Sequence, residues 1–92
     1  MNVKLLIGEC VSDNEVKEFT RIYGELPGPV DDGLVESRLI REDGGNMVVL
    51  ETTWRTREAM LRHHSSREYR QFVAKTQHLL LGCFVVKMFL TT

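Results

Sequence analysis

Cysteine, proline and long apolar runs are scarce in this chain, and each scarcity closes off a class of protein. Only Cys10 and Cys83 occur, with no CxxC or histidine-linked spacing, so neither a disulfide scaffold nor a structural zinc site is expected. Both are expected to be reduced, half-buried strand residues. The two prolines, Pro27 and Pro29, are almost adjacent, which confines the strongest chain breaks to one loop. A membrane-spanning helix needs about 20 apolar residues, whereas the longest run here, Leu79 to Val86, contains a glycine and stops at Lys87. No basic segment followed by an apolar stretch and a small-residue cleavage site opens the chain, so a soluble, cytoplasmic protein is the expectation. With a net charge of −1 there is no global attraction to nucleic acid or to an anionic membrane. Equally absent are a Gly-rich phosphate loop, a histidine pair at i,i+4, a readable Ser-His-Asp pattern and the basic-aromatic interleaving of an RNA-binding sheet. No metal, cofactor, nucleic acid or membrane partner is therefore expected.

The chain of 92 residues is 42% hydrophobic and 27% charged, an ordinary globular composition. At this length a fold buries little more than ~60% of its unfolded surface, so one domain over residues 1–92 is expected, with help from a partner subunit. Charge is unevenly spread. Residues 1–46 carry five basic and ten acidic side chains, and residues 47–92 carry seven basic and three acidic ones. An acidic first helix beside a basic second one would gain mild electrostatic complementarity, less than ~1 kcal/mol per exposed pair.

Val3 to Val11 is rich in branched apolar residues, with Val3, Leu5 and Ile7 at period two, and reads as a strand. "SDNE" then offers Ser12 and Glu15 as a capping box. Val16, Phe19, Ile22 and Tyr23 recur at helical spacing, which predicts a helix over 13–24 stopped by Gly24 and the two prolines. Leu34 to Glu42 and Asn46 to Trp54 flank "DGG", the clearest hairpin signal in the chain. Thr56 can cap a second helix. Ser65 and Glu68 form another capping box, which predicts a kink or restart near Ser65 and Ser66 before Tyr69, Phe72, Val73 and Thr76 resume the apolar stripe. Leu81 and Gly82 lead into a last strand, about Cys83 to Leu90.

The order β-α-β-β-α-β is that of a ferredoxin-like α+β fold, a four-stranded antiparallel sheet with two helices on one face. Both faces of the sheet are apolar. Helices can cover only one, so the other predicts a homodimer packed sheet on sheet.

The hairpin leading into "LETTWRTREAMLRHHSSREYRQF", with a strand ending in Trp54, an "EAM" helix start, His63 and a "SS" break, resembles the antibiotic biosynthesis monooxygenase domain family of dimeric α+β barrels. The resemblance spans essentially the whole chain and implies cofactor-independent oxygenation of a small aromatic, quinol or polyketide-like molecule. Haem-degrading relatives use an asparagine late in strand one and a tryptophan and histidine on the second helix. This chain has "GEC", about His63 and about Val73 there, which disfavours that activity. Oxygenases of polycyclic aromatics use an asparagine and tryptophan at the end of strand three and a tyrosine shortly after. Here Trp54 matches, while Leu50 and Met60 occupy the other positions. His63 corresponds to a helix histidine that lines the pocket in smaller quinol-oxygenase-like members.

Trp54 and His63 are thus the candidate catalytic residues: an indole that stacks on a planar substrate, and an imidazole whose ordinary pKa suits a general base. A seam-covering core tryptophan and a half-buried structural histidine are the competing accounts. Tyr69, Phe72, Tyr23 and Glu51 are candidate substrate contacts, against core packing for the aromatics and an ion pair with Arg38 or Arg41 for the carboxylate. His64 projects about 100° from His63 on a helix and is expected in solvent, as is His78; the five arginines Arg55, Arg57, Arg62, Arg67 and Arg70 could form an anion-binding rim, with a mostly solvated face the stronger expectation. An electron-rich substrate anion can itself activate dioxygen, leaving the protein to supply a dry pocket, a base and hydrogen-bond donors. The alternatives are a non-catalytic dimeric small-molecule-binding or stress-response module, and a proton-transfer isomerase that pairs His63 with a carboxylate.

Overall fold

The computed structural model describes residues 1–26 and 33–91. The break expected from Pro27 and Pro29 falls on 27–32, outside the described residues. The elements are β1 (Asn2–Glu9), α1 (Asp13–Gly24), β2 (Leu34–Arg41), β3 (Met47–Trp54), α2 (Arg57–His64), α3 (Arg67–Thr76), a 3-10 turn (Gln77–Leu79) and β4 (Val85–Leu90). All strand pairs are antiparallel in the order β2-β3-β1-β4, the ferredoxin-like arrangement. No described helix is long and apolar enough to cross a membrane.

Strand parity sets the layers. Register pairs Lys4 with Thr52 and Met88, and Leu6 with Leu50 and Val86, so these residues share the helix-covered face. Leu6, Val48 and Leu50 join Val16 and Phe19 of α1 and Tyr69 and Phe72 of α3 in the main core. Trp54, Ala59 and Met60 form a smaller cluster at the α2 end. Gly8 shares that inner face, and a Cβ there would meet Leu80 at 2.9 Å and the Phe84 ring at 3.0 Å. Its bare backbone lets Phe84 lie across β1. On the outer face Val85 and Phe89 remain 51% and 52% exposed and Ile40 40%, far more than a covered sheet would leave.

Both chain ends of the expected strands are shorter. Cys10 makes only an isolated bridge to Leu80, ending β1 at Glu9, and Gly82 at φ 78° redirects the chain so that β4 begins at Val85. The cysteines are unequal rather than both half-buried: Cys10 is buried and Cys83 exposed, and both are free. Nor do the helices pair by charge as expected. Among the described residues the salt bridges of α1 run within it, to Glu25 at its C-terminal cap, or from Asp13 to Arg41 of β2.

The second helix is divided in two, with the caps one residue later than "SS" and Glu68 alone would place them. Thr56 Oγ1 accepts from the Ala59 amide at 3.1 Å. Ser65 closes α2, and Ser66 Oγ accepts from the Tyr69 amide at 3.2 Å to open α3. At α1, Ser12 occupies the cap position and its hydroxyl engages Glu15 rather than a backbone amide. Loss of a serine N-cap costs about 1 kcal/mol. Ser66→Ala is expected to lower stability by that amount and Ser65→Ala by a few tenths, read as urea midpoints; equal losses would show that the cap is misassigned.

Candidate functional site

β1 carries a lysine where its parity neighbours are Leu6 and Gly8. Lys4 is only 2% exposed, and its Nζ lies 3.0 Å from His63 Nδ1 and 3.7 Å from the centroid of the Tyr69 ring. The π-face of tyrosine attracts a cation. Burial nonetheless disfavours the charged amine, and the Lys4 pKa falls to about 7. When Lys4 is charged it donates to Nδ1, which fixes the His63 proton on Nε2; when it is neutral, Nδ1–H can donate to Nζ.

Trp54, at the end of β3, is buried, and its Nε1 donates to Thr52 Oγ1 at 2.9 Å, while Thr52 in turn donates to the Lys4 carbonyl at 3.4 Å. The Trp54 and His63 rings lie 4.7 Å apart and tilted by 35°. Tyr69 sits at the middle. Its ring centroid is 5.3 Å from that of His63 and 5.1 Å from that of His64, because α2 ends at His64 and α3 restarts after the two serines, bringing Tyr69 back against both imidazoles. Burial raises the Tyr69 pKa, so its hydroxyl stays protonated at neutral pH.

A cleft of about 340 Å³ adjoins this cluster, lined by Leu6, Val73, Phe84 and Val86 with His64, Tyr69 and Arg70 as its polar residues. His64 is therefore not in solvent, as its angular separation from His63 suggested. Its ring is half-buried, its Nδ1 is fully covered, and it has no hydrogen-bond partner among the described residues. Burial first, and the nearby Lys4 second, lower its pKa, leaving a neutral imidazole at pH 7. Arg70 is exposed, as expected of the arginines, and also lines the cleft.

The structure thus brings Trp54, His63 and Tyr69 together and leaves the other expected contacts elsewhere. Phe72 packs edge-on against Phe19 at 5.5 Å in the main core. The Tyr23 hydroxyl bonds Ser37 Oγ at 2.9 Å. Glu51 lies on the outer face of the sheet, opposed to Arg38. Lys4 and His64 were missed. Among the described residues no group of three or more histidine, cysteine, aspartate or glutamate side chains is arranged to hold a metal ion.

Residues 11–75 match the sequence model of the antibiotic biosynthesis monooxygenase family. The chain belongs to that family. Its fold is similar to a candidate antibiotic biosynthesis monooxygenase of Deinococcus radiodurans, with TM-score 0.84, 12% identity, and coverage of 100% of this chain and 93% of that one. It is similar to a protein of Mycobacterium tuberculosis, with TM-score 0.79, 19% identity and coverage of 100% and 96%. It is also similar to a monooxygenase of Streptomyces coelicolor solved with nanaomycin D, with TM-score 0.81, 12% identity and coverage of 99% and 87%. Comparison with curated proteins finds no match. The family match begins after β1, so Lys4 lies outside it.

The Lys4 environment has a measurable consequence. An amine with a folded pKa of about 7 and an ordinary unfolded one near 10.4 binds fewer protons folded than unfolded between those values. Stability therefore rises with pH from about 7 to about 10 and is lowest below pH 7. Urea midpoints across this range are expected to climb for the wild type relative to Lys4→Met; parallel curves would contradict the buried-amine assignment.

Proposed function

We propose that this family member is a cofactor-independent monooxygenase acting on a small hydroxylated aromatic, quinol or polyketide-like molecule bound in the cleft beside Tyr69. The observation that carries this reading is an apolar cleft whose wall holds a neutral imidazole with an unpartnered Nδ1, next to a cluster of basic groups. A base is what such chemistry needs, because the deprotonated substrate is itself the reductant of dioxygen.

In this scheme the neutral His64 imidazole accepts the substrate's acidic proton. For a methylene between aromatic rings the carbanion passes one electron to dioxygen, and the two radicals combine in a C–O bond. The imidazolium returns its proton to the peroxide, and water leaves with the remaining C–H proton. The balance is CH2 + O2 → C=O + H2O, with all four electrons drawn from the substrate. Tyr69 donates its hydroxyl to the substrate oxygen, and the Lys4–His63 pair, braced by Trp54, holds the Tyr69 ring and supplies positive charge to the anion. The apolar walls exclude water.

Removing a general base costs roughly a hundredfold or more in rate. Oxygen uptake with a panel of quinols and anthrones is expected to fall by about that factor in His64→Ala and by less in His63→Ala and Trp54→Phe. No turnover above buffer by the wild type on any of them would overturn the oxygenase reading in favour of a binding module.

The same reading includes a homodimer through the outer sheet face. What supports it is the exposure of Val85, Phe89 and Ile40 on that face, where a second copy would remove apolar surface from water. Sedimentation at micromolar concentration is expected to give twice the chain mass; a stable monomer would refute the interface.

A further inference from the structure

Apart from its aliphatic and phenyl walls, the cleft presents only His64, Tyr69 and Arg70, and no carboxylate lines it. Among the described residues Arg70 makes no salt bridge, although five bridges form elsewhere. Behind the Tyr69 wall stands the Lys4 amine, whose nearest polar group is an imidazole rather than a carboxylate. The cleft is therefore electropositive on a chain whose net charge is −1. A quinol or a simple phenol would use the His64 imidazole and leave the guanidinium unmatched. A planar ligand carrying both a hydroxyl and an acid group would match both.

We infer that the molecule taken by this cleft is a hydroxyaromatic carboxylic acid, whose hydroxyl bonds the His64 imidazole while its carboxylate pairs with Arg70. Guanidinium and carboxylate form a two-bonded, charge-assisted pair, and the flat apolar body lies against Phe84, Val73 and Leu6. At about 340 Å³ the cleft is at the lower end of the roughly 300–1,000 Å³ of small-molecule sites, which suits two or three fused rings rather than a larger scaffold. The inference rests on the function proposed above only in taking the same cleft as the substrate site. It goes beyond it in requiring an acid group on the substrate.

The test is equilibrium binding without oxygen, so that it reads recognition apart from turnover. Three probes share one ring system: 6-hydroxy-2-naphthoate, 2-naphthol, which lacks the acid, and 2-naphthoate, which lacks the hydroxyl. The wild type is expected to bind the hydroxy acid at least about tenfold more tightly than 2-naphthol. Arg70→Gln, at an exposed position whose loss leaves the core intact, is expected to abolish that advantage while retaining 2-naphthol affinity. His64→Leu is expected to abolish the advantage of the hydroxy acid over 2-naphthoate. Equal affinities in the wild type, an undiminished preference in Arg70→Gln, or no binding of any probe at millimolar concentration would overturn the inference. Selective binding without oxygen uptake would sustain it and count against the oxygenase reading instead.

Discussion

One face of a four-stranded sheet is covered by helices and the other is not, and the parity of β1 decides which side chains meet which fate. With Leu6 paired to Leu50 and Val86, Lys4 and Gly8 must point the same way, since alternate residues of a strand share a face. Gly8 leaves room for Phe84, which becomes a wall of the cleft. Leu6 belongs at once to the core and to the cleft. Lys4 is driven under the helices, where its amine meets His63 and Tyr69. A slip of one residue would put Val3, Leu5 and Ile7 inside and Lys4 in water, and it would dismantle the core and the site together.

The second constraint is the interruption of the helix after His64. In an unbroken helix, adjacent histidines diverge by about 100°, and a tyrosine five or six residues on could not touch both. Ser65 ends α2 and Ser66 restarts α3. The change of direction folds Tyr69 back so that both imidazoles lie within 5.3 Å of its ring centroid. The Ser66 hydroxyl thus does for the site what a proline would do less well, because it satisfies the Tyr69 amide that the break exposes.

Much of this was legible in the residues. Period-two and period-3.6 patterning marked every strand and helix, and Trp54, His63 and Tyr69 stood out as chemistry-bearing residues near one another. What escaped was orientation. Val3, Leu5 and Ile7 make the more apolar side of β1, so Lys4 reads as the solvent-facing residue; only the register with Thr52 and Met88 shows that the more apolar side is the uncovered one. The signal available was Gly8, which with Leu6 marks the closely approached face and carries Lys4 with it. His64 was misjudged because periodicity treats a helix as continuous, and it is the last residue of one. Phe72, Tyr23 and Glu51 lie apart from this cluster, in the main core, against Ser37 and on the outer sheet face, placements that composition cannot reveal.

A buried amine beside an imidazole, with no carboxylate in salt-bridge contact among the described residues, is an unusual arrangement, because burial of a charge is costly unless it is paired. Here the cost is limited by the π-face of Tyr69 and by a pKa near neutrality, which leaves much of the amine uncharged. The arrangement is least favourable when the cleft is empty. An anion placed against Tyr69 and Arg70 would favour the charged form of Lys4 and raise its pKa, so ligand binding and proton uptake are coupled through the same side chain. In the proposed site Lys4 would be positioned by the sheet register and Tyr69 by the broken helix before a ligand arrived, with the exposed Arg70 at the rim. Such preorganisation would stabilise an anion without the reorganisation that water would require.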